Sequence, residues 1–217
     1  MSKPQQGQAR RPTPRLYLVT PEVGDAEAFA GALGAMIRSA DVAAILLRLA
    51  AVDERTLVNR VKLIAPAVQK AGAALVLEGS AEIAIRGGAD GAHLTGIAAF
   101  SDALGRLKPD RIAGCGGLQT RHDAMLAAEQ GADYVMFGEP VDGRRPSFEA
   151  IVERITWWAE LFEVPCVGFA ATLDEVGPLA AAGADFVALD GIPDDAQAAA
   201  ATIAAAAERL AAAEPVA

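Results

Sequence analysis

Gly131-Ala132-Asp133-Tyr134-Val135-Met136-Phe137-Gly138 is the stretch whose reading decides how this chain folds. Glycine takes the left-handed backbone conformation that ends a helix, and alanine allows close packing beneath the next one. The apolar run from Tyr134 to Phe137 has the length of a buried strand. Asp133 is expected to be solvated at the rim. The tripeptide recurs as Gly88-Ala89-Asp90 before Gly91 to Leu94, and as Gly183-Ala184-Asp185 before Phe186 to Leu189. Each copy closes a helix and opens a strand, so the three copies mark one end of a repeating strand-and-helix series.

Working outward, the same alternation fills the chain. Leu16 to Val19 reads as a first strand ended by Thr20-Pro21, with a helix starting near Asp25. Val42 to Arg48 precedes a helix over 53–70, and Ala74 to Leu77 precedes one starting near Ala81. Gly91 to Leu94 is followed by a helix near 100–106, and Arg111 to Cys115 by one over 120–130. Tyr134 to Phe137, Pro165 to Phe169 and Phe186 to Leu189 are the last three strands, with helices over 147–162, 173–182 and 195–212. Eight such units predict an α/β fold, a single (β/α)8 TIM barrel over residues 15–217 after a basic, disordered tail at 1–14. An open doubly wound sheet shares the local pattern, but no strand is followed by a Gly-x-Gly-x-x-Gly turn or a Walker lysine loop.

Composition narrows the partners. The 217 residues are 53% hydrophobic but only 5% aromatic, which predicts a large aliphatic core. The formal charge of −9, from 28 acidic and 19 basic residues, argues against nucleic acid, whose backbone is bound by clustered Lys and Arg. Cys115 and Cys166 sit in apolar runs and read as buried reduced thiols, consistent with a cytoplasmic protein. Neither the tail nor the Ala-rich C-terminal stretch has the continuous apolar length of a secretory signal or a membrane span, so no membrane partner is expected.

In a parallel barrel the residues just past each strand converge on one mouth, where chemistry is sought. The candidates are Thr20, Arg48, Glu78, Gly79, Ser80, His93, Thr95, Cys115, Gly116, Gly117, Gly138, Glu139, Gly168, Phe169, Asp190 and Gly191. Arg48 follows Ile45-Leu46-Leu47 and either binds a phosphate or carboxylate or forms an ion pair with Glu78 on the adjacent strand. His93 is aimed either into the barrel or toward the helices; near Glu78, the two form a candidate acid–base pair. Gly116, Gly117 and Gly138 permit close approach of a ligand or make ordinary tight turns. Arg144 and Arg145 lie in a polar loop, either solvated or folded over the mouth as an anion clamp. Thr172 and Glu175 have capping-box spacing, and a helix start of that kind often receives phosphate in barrels. Asp190 would repel a phosphate dianion there. No His or Cys partners stand at metal-ligand spacing. Of Trp157 and Trp158, one ring is expected inside and the other at a subunit contact or the barrel base.

Leu16-Tyr17-Leu18-Val19-Thr20, Asp90-Gly91-Ala92-His93-Leu94, Gly131 through Gly138 and Gly183-Ala184-Asp185 together resemble the thiamine-phosphate synthase and thiazole tautomerase family. The resemblance implies a (β/α)8 barrel, and for the synthases a transferase of thiamine biosynthesis. That reaction joins a hydroxymethylpyrimidine diphosphate to a thiazole phosphate with loss of pyrophosphate, using magnesium and a carbocation-like transition state. The family's site motifs are replaced here. Its Gln-x-Arg-x-Lys becomes Leu46-Leu47-Arg48-Leu49-Ala50, and its Asn-Asp becomes Glu78-Gly79. Its Gly-Gln-Glu-Asp becomes Thr95-Gly96-Ile97-Ala98, and its Ser-x-His becomes Gly116-Gly117-Leu118. Its Gly-Gly turn becomes Ala170-Ala171, and its Thr-x-Thr-Lys loop becomes Asp142-Gly143-Arg144-Arg145. Losing both magnesium carboxylates and a lysine is expected to cost orders of magnitude in pyrophosphate departure.

The expectation is therefore a diverged barrel without magnesium-dependent synthase chemistry, with no cofactor or metal, that binds a small and phosphorylated or otherwise anionic ligand or catalyses a different reaction. Glu78 and His93 are its candidate acid–base groups. Arg48, Ser80, Thr95, Gly116, Gly117, Gly138, Glu139, Arg144, Phe169 and Gly191 are its candidate ligand contacts. The alternatives are a working magnesium-dependent synthase with relocated ligands, and a non-catalytic homodimeric interaction protein.

Overall fold

Alternating strand and helix segments close on themselves in the computed structural model, which describes residues 13–213. The expected tail at 1–14 lies almost wholly outside the described residues. The strands are β1 (Arg15–Val23), β2 (Val42–Leu49), β3 (Ala74–Glu78), β4 (Gly91–Thr95), β5 (Ile112–Gly116), β6 (Tyr134–Phe137), β7 (Cys166–Ala170) and β8 (Phe186–Leu189). The helices are α1 (Ala26–Ile37), α2 (Glu54–Lys70), α3 (Ala81–Gly87), α4 (Ile97–Leu107), α5 (Arg121–Gln130), α6 (Phe148–Leu161), α7 (Leu173–Ala181) and α8 (Ala196–Ala211). All strand pairs are parallel and in sequential order, and β1 pairs with β8 to close the barrel. The fold is the (β/α)8 TIM barrel expected from the repeat.

Two cores follow from the period-two alternation of each strand. One face feeds the large apolar layer between sheet and helices, including Ile45, Leu47, Leu75, Leu77, Val135 and Phe137. The other fills the barrel interior with Tyr17, Val19, Ala44, Leu46, Val76, Tyr134, Met136, Val167, Phe169 and Ala188. Continuing the inward alternation by one step reaches Arg48 on β2, Glu78 on β3 and Asp190 after β8. The strands thus deliver charge to the mouth by register alone. Among the described residues, no helix is long and apolar enough to cross a membrane.

The aspartates of the repeat stand at the rim, Asp133 exposed and Asp90 and Asp185 half-buried, and each also makes backbone bonds that the expected solvated role did not include. Asp90 Oδ2 accepts the Leu75 N–H at 2.7 Å while the Asp90 N–H donates to the Leu75 carbonyl at 2.8 Å. Asp133 makes the same two-way clamp with Ala113, at 2.7 and 3.0 Å, and Asp185 with Cys166, at 2.8 and 3.0 Å. Each copy therefore locks the first or second residue of an odd strand to its even neighbour, giving an acceptor to a backbone N–H near the strand start. Asp90→Ala leaves the N–H of fully buried Leu75 without that acceptor and is expected to cost about 1–3 kcal/mol. Asp90→Asn, which keeps an acceptor oxygen, recovers part of the loss; urea unfolding of the two variants checks this.

Trp158 is fully buried, stacked on Phe162 at 4.1 Å between centroids, with its indole N–H donating to Val164 O at 2.7 Å. Trp157 is half-buried, with the Arg121 guanidinium 4.7 Å above its ring.

Candidate functional site

The site begins with two glycines on β5. An added Cβ at Gly114 would stand 2.1 Å from Tyr134 Cζ, and one at Gly116 would stand 2.4 Å from Glu139 Oε1 and 2.6 Å from His93 Nε2. The missing side chains are what let three polar groups enter the barrel. His93 points inward, because its strand neighbours Ala92 and Leu94 are taken by the outer core. It is fully buried and touches two partners, Tyr134 Oη at Nδ1 and Glu139 Oε2 at Nε2, both at 2.8 Å. Tyr134 Oη in turn lies 2.9 Å from Tyr17 Oη.

One proton arrangement makes all three contacts hydrogen bonds. Tyr17 donates to Tyr134, Tyr134 donates to His93 Nδ1, and Nε2–H donates to Glu139. The result is a polar chain from the barrel centre to the mouth. Burial pushes both phenols well above the ordinary tyrosine value; for Tyr17 the bond to Tyr134 partly offsets this and the charges of Glu139 and Glu78 add to it. Nearby, burial and then the charges of Glu139 and Asp123 push the Cys115 thiol up to about 12, so it is an inert thiol at neutral pH.

Above this chain Arg48 is held by carboxylates. Its Nη1 donates to Asp190 Oδ1 at 3.1 Å and its Nε lies 3.5 Å from Glu78 Oε1. Its own backbone N–H donates to Thr20 Oγ1 at 3.0 Å, and Thr20 is buried. Of the two readings of Arg48, the ion pair with Glu78 is present, joined by Asp190. The expected Glu78–His93 pair is not formed: Glu78 is turned to Arg48, and Glu139 takes the imidazole.

The loop after β6 is anchored by Arg145. Its Nη1 and Nη2 donate to Glu175 Oε1 and Oε2, both at 2.8 Å, its Nε donates to Gly138 O at 2.9 Å, and Nη2 also reaches Phe169 O at 2.7 Å. The Ala171 N–H donates to the same Glu175 at 2.7 Å. Burial works against the Glu175 charge, but the bonds from Arg145 and Ala171 and the guanidinium charge hold its carboxyl below the usual range. The expected capping box of Thr172 and Glu175 is therefore absent; the Thr172 side chain makes no cap bond. The start of α7, where a phosphate was considered, carries an internal carboxylate.

The other candidates divide by place. Ser80 is the N-cap of α3, accepting the Ile83 N–H at 3.3 Å. Phe169 is packed in the barrel interior, Thr95 is exposed on β4, and Gly191 makes a left-handed turn after β8. Gly117, Gly138, Glu139 and Arg144 come together, lining a pocket of ≈ 590 Å³ between the β5–α5 turn and the β6–α6 loop. Arg154 on α6 lines it too, donating to the carbonyls of Leu118 at 2.8 Å and Gln119 at 3.2 Å. Sequence reasoning missed Tyr17, Tyr134 and Arg154. The chain has only two tyrosines, each near the start of a strand, and that pairing is the signal that was there to read.

The donor set does not fit magnesium. A magnesium ion takes near-octahedral oxygen ligands, including one or two free carboxylates. Here Glu78 and Asp190 face Arg48, Glu139 faces His93, and among the described residues no group of three or more His, Cys, Asp or Glu is disposed to hold a metal ion.

Comparison with known proteins bears on this barrel directly. Residues 16–190 match the family model described as thiamine monophosphate synthase. The chain is 39% identical over 181 residues to thiamine-phosphate synthase of Rhodospirillum centenum, covering 82% of this chain and 87% of that protein. It is 36% identical over 188 residues to the thiamine-phosphate synthase of Hyphomonas neptunium, covering 82% and 85%. Among solved structures, thiamine phosphate pyrophosphorylase from Pyrococcus furiosus superposes with a TM-score of 0.73 at 19% identity, covering 92% of this chain and 96% of that one. A 3-hexulose-6-phosphate synthase gives 0.65 at 16% identity, covering 91% and 99%. These two likenesses speak for the fold alone.

Proposed function

Because this chain belongs to the thiamine monophosphate synthase family, we propose that it keeps the family's barrel to bind a small anionic ligand at the mouth and lacks magnesium-dependent synthase chemistry. The observation that carries this reading is the pairing of three mouth carboxylates: Glu78 and Asp190 with Arg48, and Glu139 with His93. Departure of pyrophosphate builds negative charge that a metal or free cation must meet. A guanidinium already flanked by two carboxylates is a poor partner for that charge. Arg144 and Arg154, which have no carboxylate partner among the described residues and line the loop pocket, support an anionic ligand there instead.

A second reading, a working synthase, is favoured by the relatives of 36–39% identity that carry that name. Purified protein given hydroxymethylpyrimidine diphosphate, thiazole phosphate and magnesium separates the two. We expect turnover depressed by a factor of about 10³ or more relative to the Rhodospirillum protein assayed alongside. Thiamine phosphate formation at a comparable rate would overturn the first reading, and failure to bind either substrate by calorimetry would overturn the second.

A further inference from the structure

The loop pocket is lined by groups of opposite charge. Among them are Arg144, whose side chain has no partner among the described residues, and Arg154, whose guanidinium among the described residues meets only the carbonyls of Leu118 and Gln119. Glu139 is there too, with a side chain only 9% exposed. Its Oε2 is engaged by His93, but its Oε1 is buried over Gly116 with no hydrogen-bond partner. A buried carboxylate oxygen without a donor is costly, and native structures seldom leave one so. Among the described residues no neighbouring cation supplies the donor, since the Arg145 guanidinium is spent on Glu175, Gly138 O and Phe169 O.

We propose that the natural occupant of this pocket is an amphoteric small molecule, with a phosphate or carboxylate toward Arg144 and Arg154 and an ammonium or N–H donor toward Glu139. The inference rests on the anion-binding reading above and adds the identity of the second group. Glutamate has three side-chain torsions, so a shift of the whole Glu139 side chain can turn toward the pocket the oxygen that His93 does not hold. Exposed Asp142, also on the lining, adds negative charge that favours the cationic end. A purely anionic ligand would satisfy the arginines and leave Oε1 as it is.

Isothermal calorimetry with 2-aminoethyl phosphate and ethyl phosphate tests this, because the two differ at the amine and share the phosphate monoester. The unaltered protein is expected to bind the amine-bearing ester about tenfold or more tightly. Glu139→Gln is expected to bring the two affinities together, with ethyl phosphate bound at least as tightly as by the unaltered protein because a negative charge leaves the pocket; a far-ultraviolet circular dichroism spectrum matching the parent shows that the variant is folded. Arg144→Ala is expected to weaken both esters by a similar factor. Equal binding of the two esters by the unaltered protein, or a preference that survives Glu139→Gln, overturns the amphoteric assignment and leaves anion binding standing. Binding of neither ester at millimolar concentration overturns the anion reading itself, and this inference with it.

Discussion

Gly114→Ala is expected to lower stability by about 3 kcal/mol or more, although it adds a single methyl group. The new Cβ would lie 2.1 Å from Cζ, 2.3 Å from Oη and 2.5 Å from Cε1 of Tyr134. Those atoms are not the far end of a flexible side chain. The ring is buried, stacked near His93 at 5.7 Å and fixed at its hydroxyl by His93 and Tyr17. To make room, Tyr134 must leave its place, and the bonds to His93 and Tyr17 go with it, leaving polar atoms buried without partners. The clash also names its own rescue. Tyr134→Leu removes the colliding atoms, so the double variant Gly114→Ala with Tyr134→Leu is expected to be more stable than the sum of the two single losses by at least about 1 kcal/mol. Urea unfolding of the four proteins measures this coupling. A Gly114→Ala variant within about 0.5 kcal/mol of the parent would show that Tyr134 is not held as described.

Much of this architecture was readable in the chain, because local chemistry sets strand and helix periods. Tyr134–Phe137 and Phe186–Leu189 are bounded as expected, each opened by a Gly-Ala-Asp copy. The mismatches have local causes. Pro21 was expected to end β1 after Val19, yet the strand runs to Val23, since a register shift against β2 between Val19 and Glu22 accommodates the missing N–H. Helix α4 begins at Ile97 rather than near Phe100, because its N-cap is Gly96, which has no side chain to announce a helix start.

The site was legible as a set of positions and not as a set of pairs. His93 and Glu139 are 46 residues apart, and Arg48 and Asp190 are 142 apart. Strand alternation gives each of them one of two faces, but which group it meets across the mouth depends on the register of strands far apart in sequence. That is why the sequence left Glu78 open to either Arg48 or His93, and only the closed barrel turns it to Arg48. The aspartate clamps were hidden for a related reason: an aspartate before a strand reads as a rim residue, and the N–H it also accepts lies on a strand whose position only the closed barrel fixes.

Alkaline titration offers a direct view of the buried polar chain, since Tyr17 and Tyr134 are the two tyrosines of the protein and both belong to it. Burial holds both phenols protonated in the folded state well beyond the ordinary value near 10. The unfolded chain, by contrast, releases its phenolic protons from about pH 10 upward. Above that pH the folded state binds more protons than the unfolded one, so stability is whole below about pH 10 and drains as pH climbs toward the folded values. Each phenol adds a slope of up to about 1.4 kcal/mol per pH unit, and the two together up to about 2.7. Phenolate absorbance is therefore expected to stay silent while the barrel is folded and then to rise in one step together with loss of far-ultraviolet circular dichroism. Tyr17→Phe removes one of the two titrating groups and is expected to halve the phenol contribution to the slope, measured as urea midpoints across the alkaline range. A phenolate signal that titrates near the ordinary tyrosine value in a still-folded protein would place at least one ring in water, and the chain from Tyr17 to Glu139 would then be broken at its inner end.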